Sequence, residues 1–465
     1  MSDKNTFEIR NPANPSEIVA SFPTTAEADV PKIMQTARDA QKEWAKVPQP
    51  ERGKRLDAFL NGLEARIDDI AASITREMGK LLGESKGEVI KAMGEGRAMV
   101  RRSSAPIGEV LPSQKPGTII YSTRRPRGVV LGINPWNFPF STPIRKTIPA
   151  LLFGNAMVLK PSINTPGAAF IMQEVADATL PKGLFQIAYG SGGLGTALTS
   201  ASEVDAISFT GSVGVGRIVA QAAAANLAEI SLELGGKNPV ILNDASDLDA
   251  ALDQIYAAAF AVCGQRCTAI SRVIVRRELE AAVVAGLAKR AAAAKPGDGM
   301  DPSTTLSPLM GEAAVNDVAG FVDRARAAGA KVATGGERID HNGGYFYAAT
   351  ILSNVTADME VAREEVFGPV LSVIAYDDLD EALRICNDVE FGLAACVYSE
   401  QTPLVERCIA EVESGMIHVN CGSFPEDHAP FVGVKNSSLG VGGSNGPSTL
   451  QFYTQEHTVF RRGQA

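Results

Sequence analysis

The chain has 465 residues, 45% of them hydrophobic and 21% charged, with 53 acidic against 44 basic side chains for a net charge of −9. That length predicts two or three domains around a large core, and that composition excludes intrinsic disorder. The negative balance disfavours nucleic acid and anionic membrane as partners, and no apolar run approaches the ~18 residues a spanning helix needs.

The opening segment, MSDKNTFEIR, lacks the apolar stretch of a signal peptide. Residues 26–47 and 50–80 space their apolar side chains by three and four among charges, the pattern of amphipathic helices. Short apolar runs follow at 128–133, 156–159, 204–209 and 239–242, each ending in turn-forming residues, with helix-like segments between most of them. Buried apolar strands alternating with helices predict a parallel sheet covered on both faces. The alternation resumes at 272–275, 370–375, 395–398 and 416–420, so a second lobe is expected, with the changeover near 235–265. The strand-like stretches 118–123 and 450–460 belong to neither lobe. Unpaired strands must find partners, which assigns them to an oligomer interface.

Six sparse cysteines without a CxxC pair read as reduced thiols in a cytoplasm rather than a disulfide framework. Cys267 stands apart, because it lies in the polar, glycine-flanked segment GQRCTA (264–269) beside Arg266. It reads either as a nucleophile activated by a neighbour or as one more small buried hydrophobe. The other five sit in apolar or helical contexts and keep the second reading.

ELGGK (233–237) follows an apparent helix and precedes a strand, which makes Glu233 a general base or a capping glutamate. PWNFP (135–139) directly follows a strand, at the end where doubly wound folds bind ligands. Asn137 there either donates to a developing oxyanion or bonds its own turn. Two glycine-rich loops occur. The one at 190–195 matches GxGxxG but reads equally as an ordinary connection, whereas the one at 211–216 follows a strand and opens a helix expected at Arg217, the arrangement that holds pyrophosphate. The four histidines are scattered, with His418 a core or supporting residue of its strand, so no metal site is expected. No GxSxG elbow marks a serine hydrolase.

Together these segments resemble the NAD(P)-dependent aldehyde dehydrogenase superfamily. The resemblance rests on seven motifs in the family's order: PWNFP at 135, KPS at 160, FTGS at 209, ELGGK at 233, GQRCTA at 264, EEVFGPV at 364 and Pro-Phe at 430. It implies an α/β, aldehyde dehydrogenase-like fold of two doubly wound parallel-sheet lobes plus a small oligomerisation β element. Residues 1–116 and 126–236 would bind the dinucleotide, 237–446 would form the catalytic domain, and 117–125 with 447–465 the oligomerisation strands.

The resemblance also implies roles. Cys267 matches the nucleophile that forms a thiohemiacetal, Asn137 the oxyanion donor, and Glu233 the base that hydrolyses the thioester. Lys160 and Glu365 match the ribose-holding residues, Gly211, Ser212 and Gly216 the pyrophosphate loop, and Phe367 a nicotinamide neighbour, with Trp136, Ser162 and Leu234 also at the cofactor. Phe138 and Phe431 would flank the aldehyde. Glu233, which acyl-transferring relatives tend to lack, favours release of the free acid.

Arg145 occupies a position that semialdehyde, lactaldehyde and some benzaldehyde enzymes fill with arginine. It either binds a substrate carboxylate through its fork or pairs with a nearby acid and shapes the wall. The favoured substrate is a small acidic semialdehyde, with an aromatic or hydroxy aldehyde as alternative. A non-redox esterase or thioesterase and an inactive binding relative are the readings from other classes. Three departures matter. Ala261 stands where succinic semialdehyde enzymes place a second arginine. Ile163 replaces a glutamate that excludes a 2′-phosphate, so the cofactor is NAD or NADP. Residues 439–443 lack the relatives' Arg-Glu, leaving Glu233 to act without a relay. A homodimer or homotetramer is expected.

Overall fold

The structure is a computed structural model that describes residues 6–442 and 444–462; the outermost residues of the two terminal segments named above, and Gly443 of the 439–443 tail, lie outside these. Two sheets organise the chain. The first has six strands in the order Ser438–Gly440, Glu229–Glu233, Ala206–Thr210, Val129–Ile133, Ala156–Lys160 and Phe185–Ile187, parallel except at the Ser438–Gly440 edge. The second has seven, in the order Lys331–Thr334, Thr350–Ser353, Val370–Tyr376, Ile270–Arg276, Asn238–Leu242, Ala394–Tyr398 and Met416–Val419, with only the Lys331–Thr334 edge antiparallel. The interior strands are buried on both faces, as Ala156–Lys160 and Asn238–Leu242 illustrate, which is why their sequences read as unbroken apolar runs. Each sheet organises its own apolar core.

The changeover between sheets is four residues long, from Glu233 to Asn238. The chain later crosses back: Ser438–Gly440, within the 237–446 stretch expected in the second lobe, pairs with Glu229–Glu233 of the first sheet. A third, three-stranded sheet joins Thr454–Arg462, Thr118–Pro126 and Val110–Leu111.

Several local expectations are corrected. Residues 450–453 are helical, not extended: the helix Ser448–Tyr453 starts after Pro447 and buries Phe452 and Tyr453, and the strand begins only at Thr454. Glu233 ends a strand rather than following a helix, and the second glycine loop opens its helix at Val213, not Arg217, with Ser212 as the cap. The first glycine loop is helical from Gly192 on, where the helix Gly192–Thr199 begins. The 50–80 stretch breaks into Gln49–Glu64 and Ile67–Met78. Cys421 is exposed, unlike the other four background cysteines. No helix among the described residues is long and apolar enough to cross a membrane.

Candidate active site

Five parallel strands of the first sheet deliver their carboxyl ends, Ile133, Lys160, Ile187, Thr210 and Glu233, to one side, where the cleft between the sheets opens. A cavity of about 590 Å³ occupies it, lined by Trp136, Asn137, Phe138, Arg145, Gly211, Ser212, Glu233, Leu234, Cys267, Glu365, Phe367 and Phe431 among others. Residues up to 295 positions apart in sequence but expected at one site, Trp136 and Phe431, therefore do share one surface. Lys160, Ser162 and Gly216 are not part of its lining. They stand beside it, Lys160 paired in register with Ile133 and Gly216 against the Leu234 side chain.

The loop carrying Cys267 leaves the helix Leu248–Phe260 through Val262, Cys263 and Gly264, three consecutive residues with positive φ. For a β-branched valine this is a strained conformation that the surroundings must enforce. The Glu84 carboxylate does so by accepting the Val262 N–H at 2.8 Å, and Gly264 is required because a Cβ there would meet the Gly368 carbonyl at 2.2 Å. Downstream, Asn238 donates its amide to the carbonyls of Cys267 (2.7 Å) and Ala269 (2.9 Å), and Asn137 donates to the Gln265 carbonyl at 2.8 Å. Arg266, in the lining, donates to the Ser423 carbonyl at 2.8 Å and lies over the Phe424 ring. These contacts anchor the loop.

Cys267 is half-buried, and burial pushes its thiol well above the usual range, with the adjacent Glu233 carboxylate adding to the rise. Glu233 is itself raised by burial, against the opposing pull of the Cys267 thiol and of the Lys146 and Arg145 charges. Its Oε1 is buried and takes no hydrogen bond among the described residues. A carboxylate with an acceptor oxygen to spare beside a thiol is the arrangement that takes a proton. Lys146 was not singled out by its sequence. It is buried, donates to Thr210 Oγ1 at 2.8 Å, and burial lowers it to about 8. Because Thr210 pairs in register with Glu233, the ammonium is held near that carboxyl.

Arg145 pairs with a nearby acid. Its Nε and Nη2 donate to the two oxygens of Glu95 at 2.8 and 2.7 Å, in a pair whose carboxylate is only 1% exposed, while the guanidinium also faces the Phe431 ring at 5.0 Å. Burial alone would lower its pKa, but Glu95 outweighs that and raises it. Lys91, also in the lining, donates to the Pro425 carbonyl and pairs with no carboxylate among the described residues.

The nucleotide side fits a dinucleotide. Ser212 caps the helix Val213–Asn226 with its side chain, so the helix amino terminus and its dipole face the cleft. Added Cβ atoms at Gly211, Gly216 and Gly235 would strike the Phe209 ring, Leu234 and Glu365 at 2.6, 2.6 and 2.2 Å, which leaves bare backbone along this wall. Lys160 is buried at a strand end and lowered by burial, and the Ser162 hydroxyl accepts the Asn164 N–H at 3.2 Å. Glu365 accepts the Gly236 N–H at 3.1 Å, and Phe367 meets Trp136 edge-on at 5.6 Å.

The Aldehyde dehydrogenase family model matches residues 1–459. The chain belongs to this family. A curated aldehyde dehydrogenase similar to it, an alpha-ketoglutaric semialdehyde dehydrogenase of Bacillus subtilis, is 36% identical over 459 residues, covering 97% of this chain and 94% of the relative. Among solved aldehyde dehydrogenases, lactaldehyde dehydrogenase from Escherichia coli superposes with a TM-score of 0.95 at 33% identity, covering 100% of this chain and 97% of that one. A betaine aldehyde dehydrogenase from Staphylococcus aureus, in complex with NAD+, gives 0.94 at 31% identity, covering 99% and 92%. Fold, family and the two-sheet architecture agree.

Proposed function

We propose that the protein oxidises a small aldehyde to its carboxylic acid with NAD or NADP, through covalent catalysis at Cys267. The observation that carries this reading is the Cys267 thiol against the Glu233 carboxylate, on a loop to which Asn137 is tied. Glu233 receives the thiol proton as sulfur bonds to the carbonyl carbon. The charge that develops on oxygen meets the second amide hydrogen of Asn137 and the Cys267 N–H, donors fixed before the reaction begins. The dinucleotide, held by Trp136, Lys160, Ser162, Gly211, Ser212, Gly216, Leu234, Glu365 and Phe367, supplies the hydride acceptor. With the acyl group left on sulfur as a thioester, Glu233 releases the thiol proton to solvent and then takes a proton from the attacking water, and the acid leaves as sulfur recovers its electrons.

A small acidic semialdehyde is the favoured substrate. Support comes from the similarity to a semialdehyde enzyme and from Lys91 and Arg145 among the cations in the wall. A neutral hydroxy aldehyde is the second reading, since Glu95 already neutralises the Arg145 fork. The exposed Val110, Ile119 and Phe460 of the three-stranded sheet support a homodimer or homotetramer, and six free thiols suit the cytoplasm. Incubation with NAD or NADP and a panel of acidic, hydroxylated and aromatic aldehydes, followed at the reduced-nicotinamide band, tests the activity. Silence with every aldehyde alongside ester hydrolysis would transfer the assignment to a non-redox hydrolase, and silence in both to a binding relative.

A further inference from the structure

The cavity wall contains an ion pair with no part in the chemistry just described. Lys80 and Glu88 are each 1% exposed at the side chain and meet at 2.6 Å. Lys80 follows the left-handed Gly79 that ends the helix Ile67–Met78, and Glu88 lies nearly two turns into the next helix, Leu82–Val100. Removing two charges from water is costly, and the pair persists only because its remaining valences are satisfied. Both ions satisfy them on a single segment. Lys80 Nζ donates to the Asn137 carbonyl at 2.8 Å and stands 4.1 Å from the Phe138 ring centroid. Glu88 spends Oε2 on Lys80 and accepts the Phe140 and Ser141 N–H groups on Oε1 at 2.9 and 3.0 Å. Those two amides open the helix Ser141–Leu152, which carries Arg145 and Lys146. The carboxylate thus caps from a distance a helix whose own N-cap residue, Phe140, has no side-chain acceptor.

We infer that Lys80 and Glu88 are positioning residues that clamp residues 137–141 from both ends and so set the aim of the Asn137 amide. The backbone of Asn137 is gripped by Lys80 and its side chain by the Gln265 carbonyl, which leaves one amide hydrogen in a fixed direction within the cavity that Cys267 also lines. This inference rests on Asn137 being the oxyanion donor. It predicts a kinetic role that an ordinary buried ion pair lacks.

The test uses the full-length protein. Lys80→Met alone strands the Glu88 charge, so the neutral pair Lys80→Met/Glu88→Gln is made beside it, keeping an acceptor for the Phe140 and Ser141 amides. Single-turnover NAD(P)H formation, which product release does not mask, should fall about ten- to a hundredfold in the neutral pair, because misaimed donors cost that much. Alkylation of Cys267 by iodoacetamide needs no oxyanion donor and should stay within about twofold. In an Asn137→Ala background the neutral pair should add less than about twofold, since both changes then remove one effect. A folded neutral pair that turns over at the wild-type rate overturns the inference. So does alkylation that falls in parallel with turnover, or an effect that multiplies with Asn137→Ala. An undiminished Asn137→Ala enzyme sinks the oxyanion reading itself, whereas a slow Asn137→Ala enzyme beside a fast neutral pair sinks only the clamp.

Discussion

Asn137 and Gln265, 128 positions apart, are joined by a 2.8 Å hydrogen bond from the asparagine amide to the backbone carbonyl two residues before Cys267. The donor and the nucleophile loop therefore move as one piece. Asn137→Ala should lower kcat about 10²- to 10³-fold, the range for losing one oxyanion donor. Loss of the single hydrogen bond should cost stability only about 1 kcal/mol. Steady-state kinetics paired with thermal denaturation checks both; a large fall in melting temperature with proportionate loss of active sites would make the residue a structural tie only.

Cys267→Ser replaces the sulfur with a far weaker nucleophile at nearly the same volume. NAD(P)H formation should drop at least about a thousandfold while the cofactor still quenches tryptophan fluorescence with unchanged affinity. The relevant fluorophore is at hand, since Trp136 lines the cavity.

Glu233 acts as a base only when ionised. Because burial raises its pKa, activity should disappear as pH falls through a value above the ordinary carboxylate range, and return as pH rises through it. The Lys146 charge opposes that rise, so Lys146→Met should move the acid limb of the kcat/KM profile further up. A limb that stays in place would show that Lys146 does not act on Glu233. Glu233→Gln should remove the limb and slow both the first turnover of NAD(P)H and the turnovers that follow, because the same carboxylate serves the thiol and the water.

Arg145→Leu leaves Glu95 buried without its partner and should cost about 3–5 kcal/mol of stability. The neutral variant Arg145→Leu/Glu95→Gln avoids that penalty and isolates recognition. If Arg145 also meets substrate, KM for an acidic semialdehyde should rise about tenfold or more and KM for a neutral aldehyde by less than about twofold. Equal changes would assign Arg145 to the wall alone and leave Lys91 as the cation to replace next.

Most of the two sheets could be read from sequence because their interior strands are buried on both faces, so each appears as a short apolar run closed by turn residues. Glu229–Glu233 escaped because only Leu232 is buried in it; the charges at either end and the apolar helix before it looked like a helix terminus. The helix Ser448–Tyr453 escaped because a six-residue segment with Phe and Tyr satisfies strand statistics equally well, and its burial against neighbouring elements decides the matter. At the site, residues inside motifs were legible one by one, and their partners were not. Glu95 lies 50 positions from Arg145, Glu88 52 from Phe140 and Thr210 64 from Lys146, distances at which no local pattern links one side chain to another.

The crossing at residues 234–237 has a mechanical corollary. Glu233 terminates one sheet, while Asn238, holding the Cys267 carbonyl, initiates the other, and buried Ser437 laces the junction by accepting the Leu234 N–H and donating to the Gly235 carbonyl. Any swing of one lobe against its neighbour must pivot inside the very span that separates base from thiol. Opening the cleft wide would thus disarm the reactive pair, so substrate must enter and acid must leave by a route that keeps the two lobes seated.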